Sequence, residues 1–274
     1  MTINCKGKLT DLSTPKVMGI LNITPDSFYD GGKYKDETGI LHRTEKMLDE
    51  GAAFIDVGAY SSRPGAEHVS EEEELRRIVP VIALMVRHFP GILISADTFR
   101  AAVARACVQE GAAIINDISA GNLDSGMIAT VGELQVPYIM MHMKGTPQNM
   151  QQSPQYKNIT KEVCYYFSEK VAEARKAGIN DLIIDPGFGF AKSLAHNYEL
   201  MNHMELLHHF ELPLLVGISR KSMIYKLLGS TPQKALNGTT VLNTIALLKG
   251  AHILRTHDVR EAVECVKLTA QLKG

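Results

Sequence analysis

The sequence predicts an α/β protein, a (β/α)8 barrel with a short N-terminal β extension. Three observations carry that expectation. Short, almost continuously apolar runs alternate with segments of helical periodicity. The apolar runs have the pattern of strands buried on both faces of a parallel sheet. Eight such strand-and-helix units fit in about 250 residues, the usual size of a closed barrel. A doubly wound parallel sheet is the alternative that the alternation leaves open.

The elements follow in order. Ile3 to Leu9 precedes the first unit and is expected as a small hairpin across the barrel's lower end. Strands are expected at Val17–Leu21, Phe54–Gly58, Ile92–Asp97, Ala113–Ile118, Pro137–His142, Leu182–Asp185, Leu214–Ile218 and His252–Thr256. Between them, Glu72–His88, Arg100–Gln109, Thr160–Ala177 and Leu236–Leu248 place apolar residues near helical spacing. The acidic run Glu71 to Glu74 follows Ser70 and reads as the negatively charged first turn of a helix. Gly51, Gly111, Gly178 and Gly250 stand where helices end, a position that favours glycine. No Gly/Ser linker, Pro-rich tract or low-complexity segment interrupts the chain, so residues 1–274 are expected to form one domain.

Composition removes several function classes. Lys and Arg number 29 against 30 Asp and Glu, a formal net charge of −1. Proteins that hold nucleic acid through its phosphates concentrate basic charge, so no nucleic-acid partner is expected. The longest apolar stretches fall far short of the ~18 residues of a membrane span, and Met1 to Lys8 shows no secretory pattern. Cys5, Cys107, Cys164 and Cys265 are scattered, without CxxC or zinc spacing. A soluble, cytoplasmic protein of a reducing compartment is expected.

The carboxyl ends of the strands carry the chemistry. In order they present Asn22, Asp56, Asp97, Asn116 with Asp117, His142, Asp185, Ser219 through Lys221, and Arg255 with His257. Barrel enzymes build their sites on that face. Any one of these residues could serve a turn or a cap, as is expected of Asp117 and Asp258; eight ends in succession point to a site.

Two sets stand out. Arg63, Arg255 and His257 can donate to phosphate oxygens, with Ser61 and Ser62 adding hydroxyls. The last strand runs into a D-x-x-E helix start at Asp258 and Glu261, resembling a capping box, where barrels often hold phosphate. The second set suits a planar heterocycle. Asp97 and Asp185 can each accept two parallel N–H bonds from an amino-pyrimidinone edge, Asn116 both donates and accepts, and Lys221 can donate to a ring carbonyl. A salt bridge from Asp97 or Asp185 to Lys221 is the plainer alternative for the empty site. Phe28, Phe188 and Phe190 are loop aromatics against which an aryl co-substrate could pack, although ordinary core packing serves Phe188 equally well. Gly187 to Ser193 fails as a Walker loop because Ala191 stands where glycine is required, His203 to His208 is not H-E-x-x-H, and Gly217 to Lys221 lacks the last glycine of a nucleophile elbow.

The segments Met18–Phe28 (MGILNITPDSF) with Asp30-Gly31-Gly32, and Ser62-Arg63-Pro64-Gly65-Ala66, closely resemble the first two signatures of the dihydropteroate synthases. Further matches occur in the family's order at Ser95–Thr98, Ile115–Asp117, His142–Gly145, Asp185–Phe190, Gly217–Ser222 and Arg255–Asp258, covering nearly the whole chain. The resemblance implies a TIM barrel. It also implies condensation of (7,8-dihydropterin-6-yl)methyl diphosphate with 4-aminobenzoate, giving 7,8-dihydropteroate and diphosphate on the way to folate; dissociative substitution at the pterin methylene is the mechanism expected from the residue chemistry.

Carried over by motif, Asp97, Asn116, Asp185 and Lys221 would hold the pterin. Ser62, Arg63, Arg255 and His257 would hold the diphosphate, with Asn22 acting through Mg2+. Phe28, Pro64, Phe190 and Ser219 would shape the aminobenzoate pocket, and Asp97, Asp185, Lys221 and Arg255 would carry catalysis. Residues 22–36 and 59–70 would close as lids, and a homodimer is the family expectation. A methyltetrahydrofolate–corrinoid methyltransferase-like barrel and a catalytically silent pterin-binding protein are the alternatives; the diphosphate set argues against the first. Departures from the family's usual pattern are Ala59 and Tyr60 in the second loop, Phe188 for a common aliphatic, and Ala191 and Ser193 for a common Gly and Thr.

Overall fold

The computed structural model describes residues 1–23, 33–60, 69–145 and 155–273. Phe28, Ser62, Arg63 and Pro64, and most of both expected lids, lie outside them. The chain opens with strands β1 (Thr2–Cys5) and β2 (Lys8–Asp11), an antiparallel hairpin. Eight parallel strands follow: β3 (Lys16–Asn22), β4 (Phe54–Gly58), β5 (Ile94–Asp97), β6 (Ile114–Asp117), β7 (Tyr138–Met141), β8 (Leu182–Asp185), β9 (Leu215–Val216) and β10 (Ile253–Thr256). Their order in the sheet is β8-β7-β6-β5-β4-β3-β10-β9. A parallel bridge between Ile184 and Leu214 joins β8 to β9, closing the ring as a TIM barrel and setting aside the doubly wound alternative. Each strand lies within about two residues of its expected span, and β4 and β8 coincide with it.

The helices between the strands are α1 (Lys33–Asp49), α2 (Glu71–His88), α3 (Ala101–Gln109), α4 (Met127–Leu134), α5 (Ile159–Lys176), α6 (Leu194–Asn202), the short α7 (Ser222–Tyr225), α8 (Leu236–Leu248) and α9 (Val259–Ala270). Helix α2 starts as its acidic run predicts. Ser70 is the N-cap and its side chain accepts the Glu73 N–H at 3.2 Å. Within that first turn Glu74 is fully buried and paired with Arg100. Gly51, Gly111, Gly178 and Gly250 all take the positive φ of a helix end.

Asp258 does begin α9, but its side chain makes no capping hydrogen bond. Its carboxylate is held instead in a two-bond fork by Arg220, at 2.8 and 2.7 Å, so the capping-box expectation is corrected. Among the described residues no helix is long and apolar enough to cross a membrane.

Two-residue alternation along the strands sorts the side chains into layers. Val17, Ile55, Ile94, Ile115, Tyr138, Leu182 and Leu254 face outward into the core shared with the helices. Met18, Phe54, Ile114, Ile139, Ile183, Leu215 and Ile253 point inward and pack with Ile3, Cys5 and Leu12 of the N-terminal segment. The hairpin thus closes the lower mouth of the barrel, as expected. Two residues further along the same inward faces stand Asp56, Asn116, Asp185 and Arg255. The apolar floor and the alternation of the strands together raise a polar layer at the carboxyl end.

Candidate active site

The centre of the polar layer is the Arg255 guanidinium on β10. Its Nε donates to Asp56 Oδ2 on β4 at 2.5 Å, and its Nη2 donates to Asp97 Oδ2 on β5 at 2.7 Å. Asn116 on β6 donates through Nδ2 to the same Asp56 oxygen at 3.1 Å. Asp185 ends β8 and accepts the Gly187 N–H at 2.8 Å. Asn116 and Asp185 are only 4% and 5% exposed, which suits a site that strips water from a bound ring.

Lys221 does not salt-bridge Asp97 or Asp185. Its Nζ donates to the Phe188 carbonyl at 2.5 Å and lies 4.5 Å from the centre of the Phe190 ring. At Asp97, Arg255 takes the pairing role considered for Lys221. Phe188 itself is fully buried in the barrel–helix core, so it lines no aryl pocket, whereas Phe190 is partly exposed beside Lys221. Ser219 and His257 meet at the last two strand ends. Ser219 Oγ is 3.0 Å from His257 Nδ1 and accepts the His257 N–H at 3.2 Å. Asn22 ends β3 and is partly buried.

Burial governs the charges. It raises the Asp97 pKa to about 7; the Arg255 charge works against that rise and Asp56 adds to it. Burial also raises Asp185, opposed mainly by Lys221. The Lys221 ammonium is pushed down to about 8 by burial, with Asp185 resisting. For Arg255 burial disfavours the charge, but Asp56 and Asp97 outweigh it and the guanidinium is held charged. Asp97 and Lys221 are therefore set on either side of the range between about 7 and 8.

The loop after β8 is shaped by a residue without a sequence signal. Lys192 is buried, and its Nζ meets His142 Nδ1 at 3.0 Å and the carbonyls of Gly187 and Phe190 at 2.9 and 3.1 Å. Burial lowers both Lys192 and His142 well below their ordinary pKa values. Gly187 has φ +70, and a Cβ there would stand 2.1 Å from the His142 carbonyl oxygen. Ala191, in place of the family's common glycine, also takes a left-handed φ of 48. The departure at Tyr60 has a structural companion. Its ring meets Phe99 edge-on with centroids 5.0 Å apart, and the Arg100 guanidinium lies 5.4 Å from it. Asp117 is the turn residue it was expected to be, accepting from Ser119, Gly121 and Tyr138.

The expected residues Asp97, Asn116, Asp185, Ser219, Lys221, Arg255 and His257 thus gather at one mouth of the barrel. Asp56 joins them: it stood in the row of strand ends but belonged to neither chemical set. The inward alternation of β4 was the signal that could have admitted it.

Fold and site together define a (β/α)8 enzyme of the pterin-binding class, and the family model described as "Pterin binding enzyme" matches residues 18–257. The dihydropteroate synthase of Escherichia coli (strain K12) is 45% identical over 270 residues, covering 98% of this chain and 95% of that protein. That of Haemophilus influenzae is 41% identical, covering 98% of each. The Yersinia pestis dihydropteroate synthase, solved with a sulfonamide drug complex, superposes with a TM-score of 0.93 at 44% identity, over 100% of this chain and 99% of that one. The Xanthomonas albilineans enzyme with 4-aminobenzoic acid gives 0.92 at 38% identity, over 100% and 98%. The chain belongs to the dihydropteroate synthases, transferases that condense (7,8-dihydropterin-6-yl)methyl diphosphate with 4-aminobenzoate in folate biosynthesis.

Proposed function

We propose that the polar layer is where this synthesis takes place, with the pterin held by Asp97, Asn116, Asp185 and Lys221. The observation that carries the assignment is the Arg255 guanidinium fixed between Asp56 and Asp97, one charged donor shared by the pterin and diphosphate halves of the site. Arg255 spends Nε and one Nη2 hydrogen on carboxylates, which leaves its Nη1 edge to donate to a departing phosphate oxygen. His257 and Ser219 add donors beside it, and Ser62 and Arg63 complete the diphosphate set. Phe28, Pro64, Phe190 and Ser219 are assigned to the aminobenzoate pocket.

The reaction is a substitution at the pterin methylene with a largely broken bond at its transition state. The carbon–oxygen bond to the diphosphate breaks, and that oxygen keeps the electron pair. Arg255 and His257 stabilise the growing negative charge. The electron-rich dihydropterin spreads the positive charge left on the methylene, and the Asp97 and Asp185 carboxylates support it. The aminobenzoate nitrogen then forms the new carbon–nitrogen bond and sheds a proton to water; a neutral arylamine needs no general base.

Asn22 is the residue assigned to Mg2+. Asn22 ends β3 partly buried and its carboxamide can supply one hard oxygen, and among the described residues no group of three or more His, Cys, Asp or Glu forms a protein cage. That donor set fits an ion completed by water and substrate oxygens. Bound there, Mg2+ would offset charge on the leaving diphosphate.

We place the enzyme in the cytoplasm as a homodimer. Leu227, Leu228, Val241 and Leu248, each more than half exposed on or near α8, supply an apolar surface for the subunit contact. Light scattering should return twice the chain mass of 30.1 kDa.

Diphosphate release by purified protein, with and without 4-aminobenzoate and Mg2+, tests the mechanism. Release that tracks dihydropteroate and needs both is expected. Turnover that survives complete chelation of Mg2+ would remove Asn22 from the metal assignment.

A further inference from the structure

Asp56 lies at 0% exposure beneath the mouth of the barrel. Its Oδ2 is the meeting point of Arg255 Nε, at 2.5 Å, and Asn116 Nδ2, at 3.1 Å. Its Oδ1 is buried with no hydrogen-bond partner among the described residues. An ionised carboxylate only accepts, so both contacts run one way. With Nε turned down to Asp56 and Nη2 to Asp97, Arg255 presents its Nη1 edge. With its nitrogen turned down to Asp56, the Asn116 carboxamide is left with its oxygen as the acceptor for a ligand N–H. A neutral amide at position 56 would hold neither choice, because it could donate to Asn116 Oδ1 and let that carboxamide reverse.

We propose that Asp56 is a positioning residue of the synthase site, whose carboxylate fixes which edge of Arg255 and which end of Asn116 meet the pterin diphosphate. The inference rests on the assignment of Arg255 and Asn116 to substrate binding. Asp56 itself acts through those two side chains.

The test is Asp56→Asn, which keeps the volume and removes the charge. A hydrogen bond to a charged group contributes about 1.5–3 kcal/mol, so kcat/KM for the pterin diphosphate should fall by about 10- to 100-fold. KM for 4-aminobenzoate should stay near its wild-type value. The acid limb of pterin affinity should also move to lower pH. Asp97 faces Arg255 and Asp56, with Glu74 and Asp117 beyond them; removing the Asp56 charge leaves Arg255 to favour its ionised form. A merely structural role would not move that limb.

A folded Asp56→Asn enzyme with unchanged pterin kinetics and pH profile would overturn the inference. Asn116→Ala and Arg255→Ala are measured alongside. If both of those retain full turnover, the site assignment fails. If they lose it while Asp56→Asn does not, only the positioning role falls. Should Asp56→Asn not yield folded protein, the wild-type Arg255 Nε–H NMR signal carries the test, identified by its loss in Arg255→Lys. Slow solvent exchange, with and without bound pterin diphosphate, is expected. Fast exchange, or loss of protection on binding, would refute the proposal.

Discussion

Replacing Arg255 by alanine should destabilise the fold in a way that depends on pH. The wild-type side chain is 19% exposed and makes charged hydrogen bonds to both Asp56 and Asp97. Each such bond contributes about 1.5–3 kcal/mol, and removing one partner of a buried ion pair costs about 3–5 kcal/mol. At pH 8, where Asp97 is ionised in the wild type, the loss should be about 3 kcal/mol or somewhat more. Asp97 titrates at about 7 in the folded protein against an ordinary 3.8. A carboxyl raised in this way stabilises the fold below its unfolded value, and that contribution is lost as pH climbs through the folded one. Without Arg255 the folded pKa rises further, so the variant gains more from acid than the wild type does. At pH 5.5 Asp97 is protonated in both proteins and only the Asp56 bond is missing, a loss of about 1.5 kcal/mol. At ~2–4 °C per kcal/mol, the melting point should drop by about 6–12 °C at pH 8 and about half that at pH 5.5. Calorimetric or circular-dichroism melts at the two pH values decide it. A drop of equal size at both, or a larger one in acid, would refute the coupling of Arg255 to Asp97. Dihydropteroate synthesis by the folded variant should fall by about 100-fold or more, as for other groups that stabilise transition-state charge.

Pterin affinity should rise as Asp97 ionises near pH 7 and decline as Lys221 loses its proton near pH 8, giving a bell-shaped profile in titration calorimetry; a flat profile from pH 6 to 9 would count against both assignments. Lys221→Ala should leave the melting point close to wild type while synthesis falls severely, since among the described residues its side chain makes one hydrogen bond, to a loop carbonyl; full turnover in a coupled assay would take Lys221 out of the site. Gly187→Ala should destabilise by more than about 2 kcal/mol, because the new Cβ meets a carbonyl oxygen and the backbone is left-handed there. A melting point within a degree of wild type would show that the turn relaxes freely.

The strands were legible because burial on both faces leaves a continuous apolar run, and β4 and β8 could be read to the residue. Ends frayed where the chain leaves the ladder while staying apolar: Leu214–Ile218 contracts to the two residues of β9. Site residues on strand ends were legible for a related reason, since a charge such as Asp97 on an apolar run needs an explanation. Its partner was not. Arg255 and Lys221 are both cations at strand ends, and only the inward direction of each side chain assigns the pairing to Arg255. Lys192 carries no role in the sequence reading and Glu74 reads only as part of a helix's acidic first turn, because nothing local announces that their neighbours in space are carbonyls or an arginine. Asp258 shows the converse: D-x-x-E spacing is local, but the Arg220 fork that claims its carboxylate arrives from 38 positions away.

The closure between β8 and β9 has a consequence for when the barrel opens. Among the described residues, these strands are joined by one bridge and by the Ile184 N–H to Pro213 carbonyl hydrogen bond, whereas β3 and β4 pair over five positions. The weakest stave joint therefore runs beneath Asp185 on one side and Lys221 on the other. A pterin gripped by both would act as a hoop across that joint, so substrate should slow amide exchange at Ile184 and along β9 more than anywhere else in the wall. Recognition of the ring and closure of the cylinder would then be one event.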